Sequence, residues 1–193
     1  MKNAPFAFVS LLVLMLTSCK EKNKSTYEGC CGTEATVDSF RIAFPTYDQN
    51  GNIIDSTSAA QIYIPNVFTP DGDGINDIFI VFGGPAVKQI VSVLCSNENI
   101  DQLFQSVNIL PNDPGYSWDG LKPDGTIYQG SFNYEVEVEF IDGQIKTYIG
   151  KACAYTCGEE GFPTGNLPDC FFPDQHDGNG GFDPSLPIDE VCF

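Results

Sequence analysis

"NYEVEVEFIDGQIKTYI", residues 133–149, alternates so regularly that its reading decides the fold class. Tyr134, Val136, Val138 and Phe140 fall on one face and Glu135, Glu137 and Glu139 on the other, the period of two that a half-buried strand requires. Asp142 and Gly143 follow as a tight-turn signal, so the chain is predicted to reverse there and return as a second strand. Upstream, "QIYIPNVF", "DIFIVF", "QIVSVLC" and "DQLFQSVNIL" repeat the theme at intervals of about ten residues, with Gly, Pro, Asn or Asp between them. "FRIAF" (40–44), the Asn-Gly turn of "DQNGN" and "IID" predict a hairpin over 37–55. The chain has 193 residues, is 42% hydrophobic and carries 15 Phe and 8 Tyr, enough for one real core. The expectation is an all-β protein, an immunoglobulin-like β-sandwich.

The N-terminus reads as an export signal, with Lys2 ahead of an apolar run from Phe6 to Leu16 that is too short to span a bilayer. "LTSC" (16–19) resembles the lipobox of bacterial lipoproteins, in which the chain is cut before the cysteine and Cys19 is acylated. An ordinary secretory signal with a chance cysteine is the alternative. Acylation would anchor the protein firmly to a membrane. Lys20 at the next position fits sorting to the outer membrane, with the face left open. Residues 1–18 are thus expected to be the signal peptide and 19–36 a polar tether.

Of eight cysteines, seven remain if Cys19 carries lipid, so one thiol stands apart. Cys95 lies inside a strand-like run and is expected to be buried, free and inert. Cys30, Cys31, Cys153, Cys157, Cys170 and Cys192 cluster toward the two ends of the mature chain and are expected to tie those ends together. Adjacent Cys30 and Cys31 should each reach a distant partner in the tail, and the sequence leaves the pairing open. A zinc site using His176 competes with bridges, but "CAYTC" lacks the two-residue gap of zinc knuckles. Residues 158–193, rich in Gly, Pro and Asp, form a tail that holds one shape only if bridges or metal fix it.

A formal net charge of −17, with only 9 Lys and Arg against 26 acids, argues against nucleic acid as a partner. The same balance suits an exported protein that recruits divalent cations or simply stays solvated. In "DGDGIND" (71–77), Asp71 and Asp73 alternate with glycines, and Asn76 and Asp77 return toward them, so their oxygens could converge on calcium. The loop is no EF-hand, because Ile75 holds the fifth position and the closing Glu is missing. The competing reading is a turn whose Asp and Asn side chains cap its own amides. "DQHDGNGGFD", with Asp174, Asp177, Asn179 and Asp183, repeats the idea more weakly in the tail.

Enzyme readings find little footing. The one histidine, His176, sits in the tail with no nucleophile motif beside it, and there is no phosphate loop or dinucleotide fingerprint. Paired carboxylates could serve a glycosidase, but so many acids make any pairing uninformative. Trp118 beside Asp119 invites a sugar platform, against which stands the usual role of a lone Trp at a strand entry as core.

"IPNVFTPDGDGINDIF" (64–79) strongly resembles the opening of the gliding motility-associated C-terminal domain family of Bacteroidetes, where Pro-Asn, Phe-Thr-Pro and an Asp-Gly-Asp-Gly run occur in this order. "YSWDGLKPDGTIYQGSFNYEVEV" and "IDGQIKTYIGKA" look like its later signatures, so the resemblance covers about residues 60–155. It implies an immunoglobulin-like sandwich found at the end of large surface proteins and among the cargo of type IX secretion. Here the family's middle aromatic-Asn-Arg-Trp-Gly motif is replaced by "LCSNENIDQLF", and a Cys-rich tail follows the domain. The domain is therefore read as a retained structural module over 60–157, preceded by N-terminal strands at 37–59. The function expected is that of a non-enzymatic, lipid-anchored outer-membrane protein for adhesion, surface assembly or protein interaction, with calcium as a candidate stabiliser. A glycan-binding accessory lipoprotein is the alternative, and exposed rather than buried aromatics would mark it.

Overall fold

A computed structural model of the protein describes residues 30–31, 34–156 and 169–187. Ten strands form: β1 Thr36–Ile42, β2 Thr46–Tyr47, β3 Ile53–Asp55, β4 Ser58–Ile64, β5 Val67–Phe68, β6 Phe82–Gly83, β7 Val87–Ser96, β8 Gln102–Ile109, β9 Gly130–Phe140 and β10 Ile145–Ala154. They make a sheet of order β1-β4-β6 and a sheet of order β5-β10-β9-β7-β8, with β2 and β3 as a separate small hairpin. The expected all-β sandwich with a disulfide-stapled tail is what forms.

The "NYEVEVEF" alternation does what its period demands. Tyr134, Val136, Val138 and Phe140 are buried, and β10 returns beside β9 in register from Ile145 opposite Glu139 to Ala154 opposite Gly130. On the facing sheet Ala60, Ile62 and Ile64 of β4 enter the same core. Phe40 of β1 meets Phe140 edge to face at 5.1 Å, joining the layers directly. At the rim of the sandwich, Asp38 of β1 accepts from the Tyr148 hydroxyl at 2.8 Å and from Lys146 at 3.2 Å, both on β10. Lys146 also lies over the Phe40 ring, 3.5 Å from its centroid.

Two expectations are corrected here. The N-terminal hairpin is not 37–55: β1 pairs with β4, from Thr36 opposite Ile64 to Ile42 opposite Ser58, and only the nested β2–β3 loop turns at Asn50-Gly51. The run "IID" does return as strand β3, but opposite β2 and not β1, and Ile53 and Ile54 are exposed. A boundary at 59/60 accordingly falls inside β4. "DIFIVF" is also not one regular strand. Phe79 bridges Trp118, whereas Phe82 pairs with Tyr63, so the segment changes partners midway.

β4 is buried on both faces, which its sequence does not announce. Tyr63 points away from the sandwich core, yet it is fully buried together with Ile80 and Phe82. The tail covers them. Phe182 packs on Tyr63 with ring centroids 5.3 Å apart, Phe171 meets Phe182 at 5.2 Å, and His176 stacks on Phe82 at 4.2 Å. The Tyr63 hydroxyl donates to the Phe172 carbonyl at 2.7 Å, and burial pushes that phenol's pKa up. The tail closes against the domain where Gly180 meets Gly83 and Gly84, because a Cβ on Gly180 would stand 2.1 Å from backbone atoms of both.

Gly180→Ala is therefore expected to lift the tail and to cost about 1–3 kcal/mol, the usual range for forcing atoms into a packed contact. Urea unfolding measures the loss. Hydrogen exchange should show faster exchange at the Phe171 and Asp174 amides, with the β9–β10 amides little changed.

Candidate functional site

The acid turn begins where β5 ends. The Thr69 amide donates to the Asn76 carbonyl at 2.8 Å and the Asp71 amide to the Thr69 carbonyl at 2.8 Å, which closes the loop on itself. Gly72 and Gly74 take φ of +84° and +93°, a conformation that a side chain would strain, and Asn76 takes +51°. This curl draws three carboxylates together: oxygens of Asp71, Asp73 and Asp77 lie within 4.8 Å of one another, the first two residues exposed and the third half-buried.

Most of that chemistry is spent locally. Asp77 accepts from the Gly72 amide with one oxygen and from the Gly74 amide with the other, both at 2.7 Å. Asp73 accepts from the Ile75 amide at 2.8 Å and Asp71 from the Asp73 amide at 3.3 Å. The self-capped turn is thus present, and the carboxylates still converge on its outer side. Three negative charges so close repel one another, and a divalent cation among them would relieve that repulsion through hard oxygen donors.

Asn76 does not join them. It is 8% exposed, and its side-chain oxygen accepts from the Asp174 amide of the tail at 2.9 Å, so its place in the expected ligand set is corrected. The tail cluster does not assemble either: Asp177 caps the amides of Asn179 and Gly181, Asp183 caps Ser185, and Asp174 lies against Asn76. Hydrogen bonding to Ser185 holds the Asp183 carboxyl below the ordinary range.

Two bridges form among the expected cysteines, Cys30 with Cys153 and Cys31 with Cys170; the adjacent pair reaches two distant partners, but only Cys170 is in the tail, and Cys153 belongs to β10. Cys157, Cys192 and the lipidation residue Cys19 lie outside the described residues. Cys95 is free and buried, and burial pushes its thiol pKa up. Trp118 is 1% exposed, its indole donating to the Leu121 carbonyl at 2.8 Å and its ring packed edge-on against Phe132 at 5.0 Å. Neighbouring Asp119 caps the Leu121 amide.

One functional element escaped the sequence reading. Asn66, 1% exposed, clamps the tail as a neighbouring strand would: its side-chain oxygen accepts from the Phe171 amide at 2.7 Å and its side-chain nitrogen donates to the Asp169 carbonyl at 2.8 Å. The available signal was a polar residue between the apolar runs "QIYIP" and "VF". The chain matches no protein-family model and no curated protein.

Asp77→Ala removes the acceptors of two turn amides and is expected to destabilise the protein by about 1 kcal/mol, the usual cost of losing a side-chain cap. Asn76→Ala should cost more, because the half-buried Asp174 amide then loses its acceptor and the tail its fixed point on the turn. Thermal unfolding of the two variants side by side checks the order.

Proposed function

We propose that this chain is a non-enzymatic, lipid-anchored protein of the outer membrane whose sandwich serves adhesion, surface assembly or protein interaction. The observation that carries the reading is the pair of bridges at Cys30 and Cys31. Disulfides of this kind belong to an oxidising, exported setting. Their position matters as much, because Cys30 and Cys31 lie within the proposed 19–36 tether, ahead of β1. Tension on an anchored Cys19 would pass covalently into β10 and the tail and would not peel β1 from the sheet edge.

The resemblance to the gliding motility-associated C-terminal domain family supports the same reading through residues 64–79, 116–138 and 141–152. Burial of Trp118, Tyr63, Tyr134 and Tyr155 counts against the glycan-binding alternative, which relied on exposed rings. Calcium at Asp71, Asp73 and Asp77 is the stabilising part of the proposal, supported by their convergence.

Two experiments test it. Cells fed an alkyne-bearing fatty acid should label the full chain and retain it in the outer-membrane fraction, whereas Cys19→Ala should abolish the label and release the protein from the membrane. Labelling that survives this substitution refutes the anchor. For the metal, saturating calcium should stabilise the wild type by about 2–3 kcal/mol at a hundredfold excess over its dissociation constant. Asp73→Ala should melt at one temperature with or without calcium, and a wild-type curve indifferent to calcium removes the ion from the proposal.

A further inference from the structure

A sheet edge is where a β protein is open to pairing with another chain, because alternate amides and carbonyls of an edge strand have no ladder partner. Most edges here are blunted. β5 and β6 are two residues long, β1 carries Asp38 and Arg41, and the part of β10 that β5 leaves open carries Lys146 and Lys151. β8 is different. It ends the five-stranded sheet, pairs with β7 alone among the described residues, and runs for eight residues without proline or charge. The uncharged stretch continues past the strand, from Gln102 to Asn112.

Both ends of this edge are apolar and open to solvent. Ile100, in the turn before β8, is 86% exposed, and Leu110, directly after β8, is 63% exposed. Ile100 also holds φ at +68°, which a β-branched residue adopts at a cost that Gly or Asn would avoid. The turn thus bears strain while an isoleucine stands in water. The two residues lie at equal distances from Gln105, one five positions before it and the other five after. An antiparallel copy of the strand centred on Gln105 therefore brings each Ile100 to the other copy's Leu110.

We infer that β8 pairs antiparallel with β8 of a second copy of this chain, joining two five-stranded sheets into one of ten strands. Gln105 meets the second copy's Gln105 on the two-fold axis, where each side-chain amide can donate to the other. Charge favours this occupant over a basic partner. The formal net charge is −17, and a cationic partner would be held through acids, of which this edge has none. Two acidic copies can approach along an uncharged strand without setting like charges opposite each other. The inference rests on the surface-assembly part of the proposed function and names its partner. The contact is small, so dissociation in the micromolar range is expected, and anchoring both copies to one membrane would raise their effective concentration.

The test uses sedimentation equilibrium of the full chain in density-matched detergent, with every variant carrying the same N-terminus. The wild type is expected to show a monomer–dimer equilibrium. Gln105→Lys sets two ammonium groups against each other on the axis and should weaken the dimer at least about tenfold, with the melting temperature unchanged. Ile100→Asn suits the positive φ, so it should melt no lower than the wild type and yet weaken the dimer at least about threefold. It decides the matter should Gln105→Lys prove unstable. In cells, Gln105→Cys should give a dimer with a short bis-maleimide, whereas Asn50→Cys on the exposed β2–β3 loop should not. A wild type that stays monomeric to about 100 μM, an association that the deciding variant leaves intact, or equal crosslinking at the two substituted positions overturns the inference. Capture of a different protein through Gln105→Cys, with no dimer, overturns the second copy as occupant and leaves an interaction module standing. The assembly reading fails separately if the full chain crosslinks to no envelope protein in cells, itself included.

Discussion

Tyr63 sets the constraint on which the rest depends. A strand at the centre of a three-stranded sheet can bury one face in the sandwich for nothing beyond its alternation, and β4 does so with Ala60, Ile62 and Ile64. Tyr63 on its other face would meet water were nothing laid over it. A buried phenol also needs a hydrogen-bond partner, because an unmatched hydroxyl costs about 1–3 kcal/mol. The tail answers both demands, with the Phe182 ring against the Tyr63 ring and the Phe172 carbonyl accepting from the hydroxyl. Residues 169–187 are therefore a third layer of the fold.

A segment so rich in Gly, Pro and Asp has little local preference for any one shape, so its placement must come from fixed points. The Cys31–Cys170 bridge is one. Asn66 is another, holding Asp169 and Phe171 through both atoms of its amide, and Asn76 is a third, taking the Asp174 amide. Both asparagines belong to the stretch 64–79 that carries the family resemblance. Asn66 precedes the two-residue β5, which pairs parallel to β10 at Cys153 and Ala154, and Cys153 is itself bridged to Cys30. Tail, N-terminal entry and last strand thus converge on one end of the sandwich through covalent and amide links that reinforce each other.

The sequence revealed the parts of this fold whose information is local. The β9–β10 hairpin is legible because alternation and an Asp-Gly turn lie within one stretch, and adjacency shows that Cys30 and Cys31 do not bond each other, though not which cysteines they reach. What escaped was non-local. Phe40 and Ile42 pair with Ala60 and Ser58 across a fifteen-residue excursion that looked like the return strand, and only the fold shows that Ile53 and Ile54 stay in water. Adjacency in sequence groups Asn76 with the acids. Its φ of +51° swings its amide toward a tail almost a hundred residues away, which no spacing rule encodes. Trp118 follows the ordinary expectation for a lone indole at a strand entry, and its burial withholds that ring from a sugar.

The acid turn then has a division of labour that its composition hides. The oxygens of Asp77 are directed inward, to the amides of Gly72 and Gly74, and so hold the loop's shape with or without an ion. Asp71 and Asp73 are exposed, and each also caps an amide two residues on, so the backbone fixes where their carboxylates stand. A site whose donors are held in place before the ion arrives loses less entropy on binding it, the general advantage of preorganisation. Capping and coordination, which looked like rival explanations of the same residues, are compatible here, since the caps bring the oxygens within 4.8 Å of one another. Asn76 supplies the remaining link: by facing the tail it ties the turn to the Asp174 amide, so the loop that gathers the carboxylates is held against the third layer.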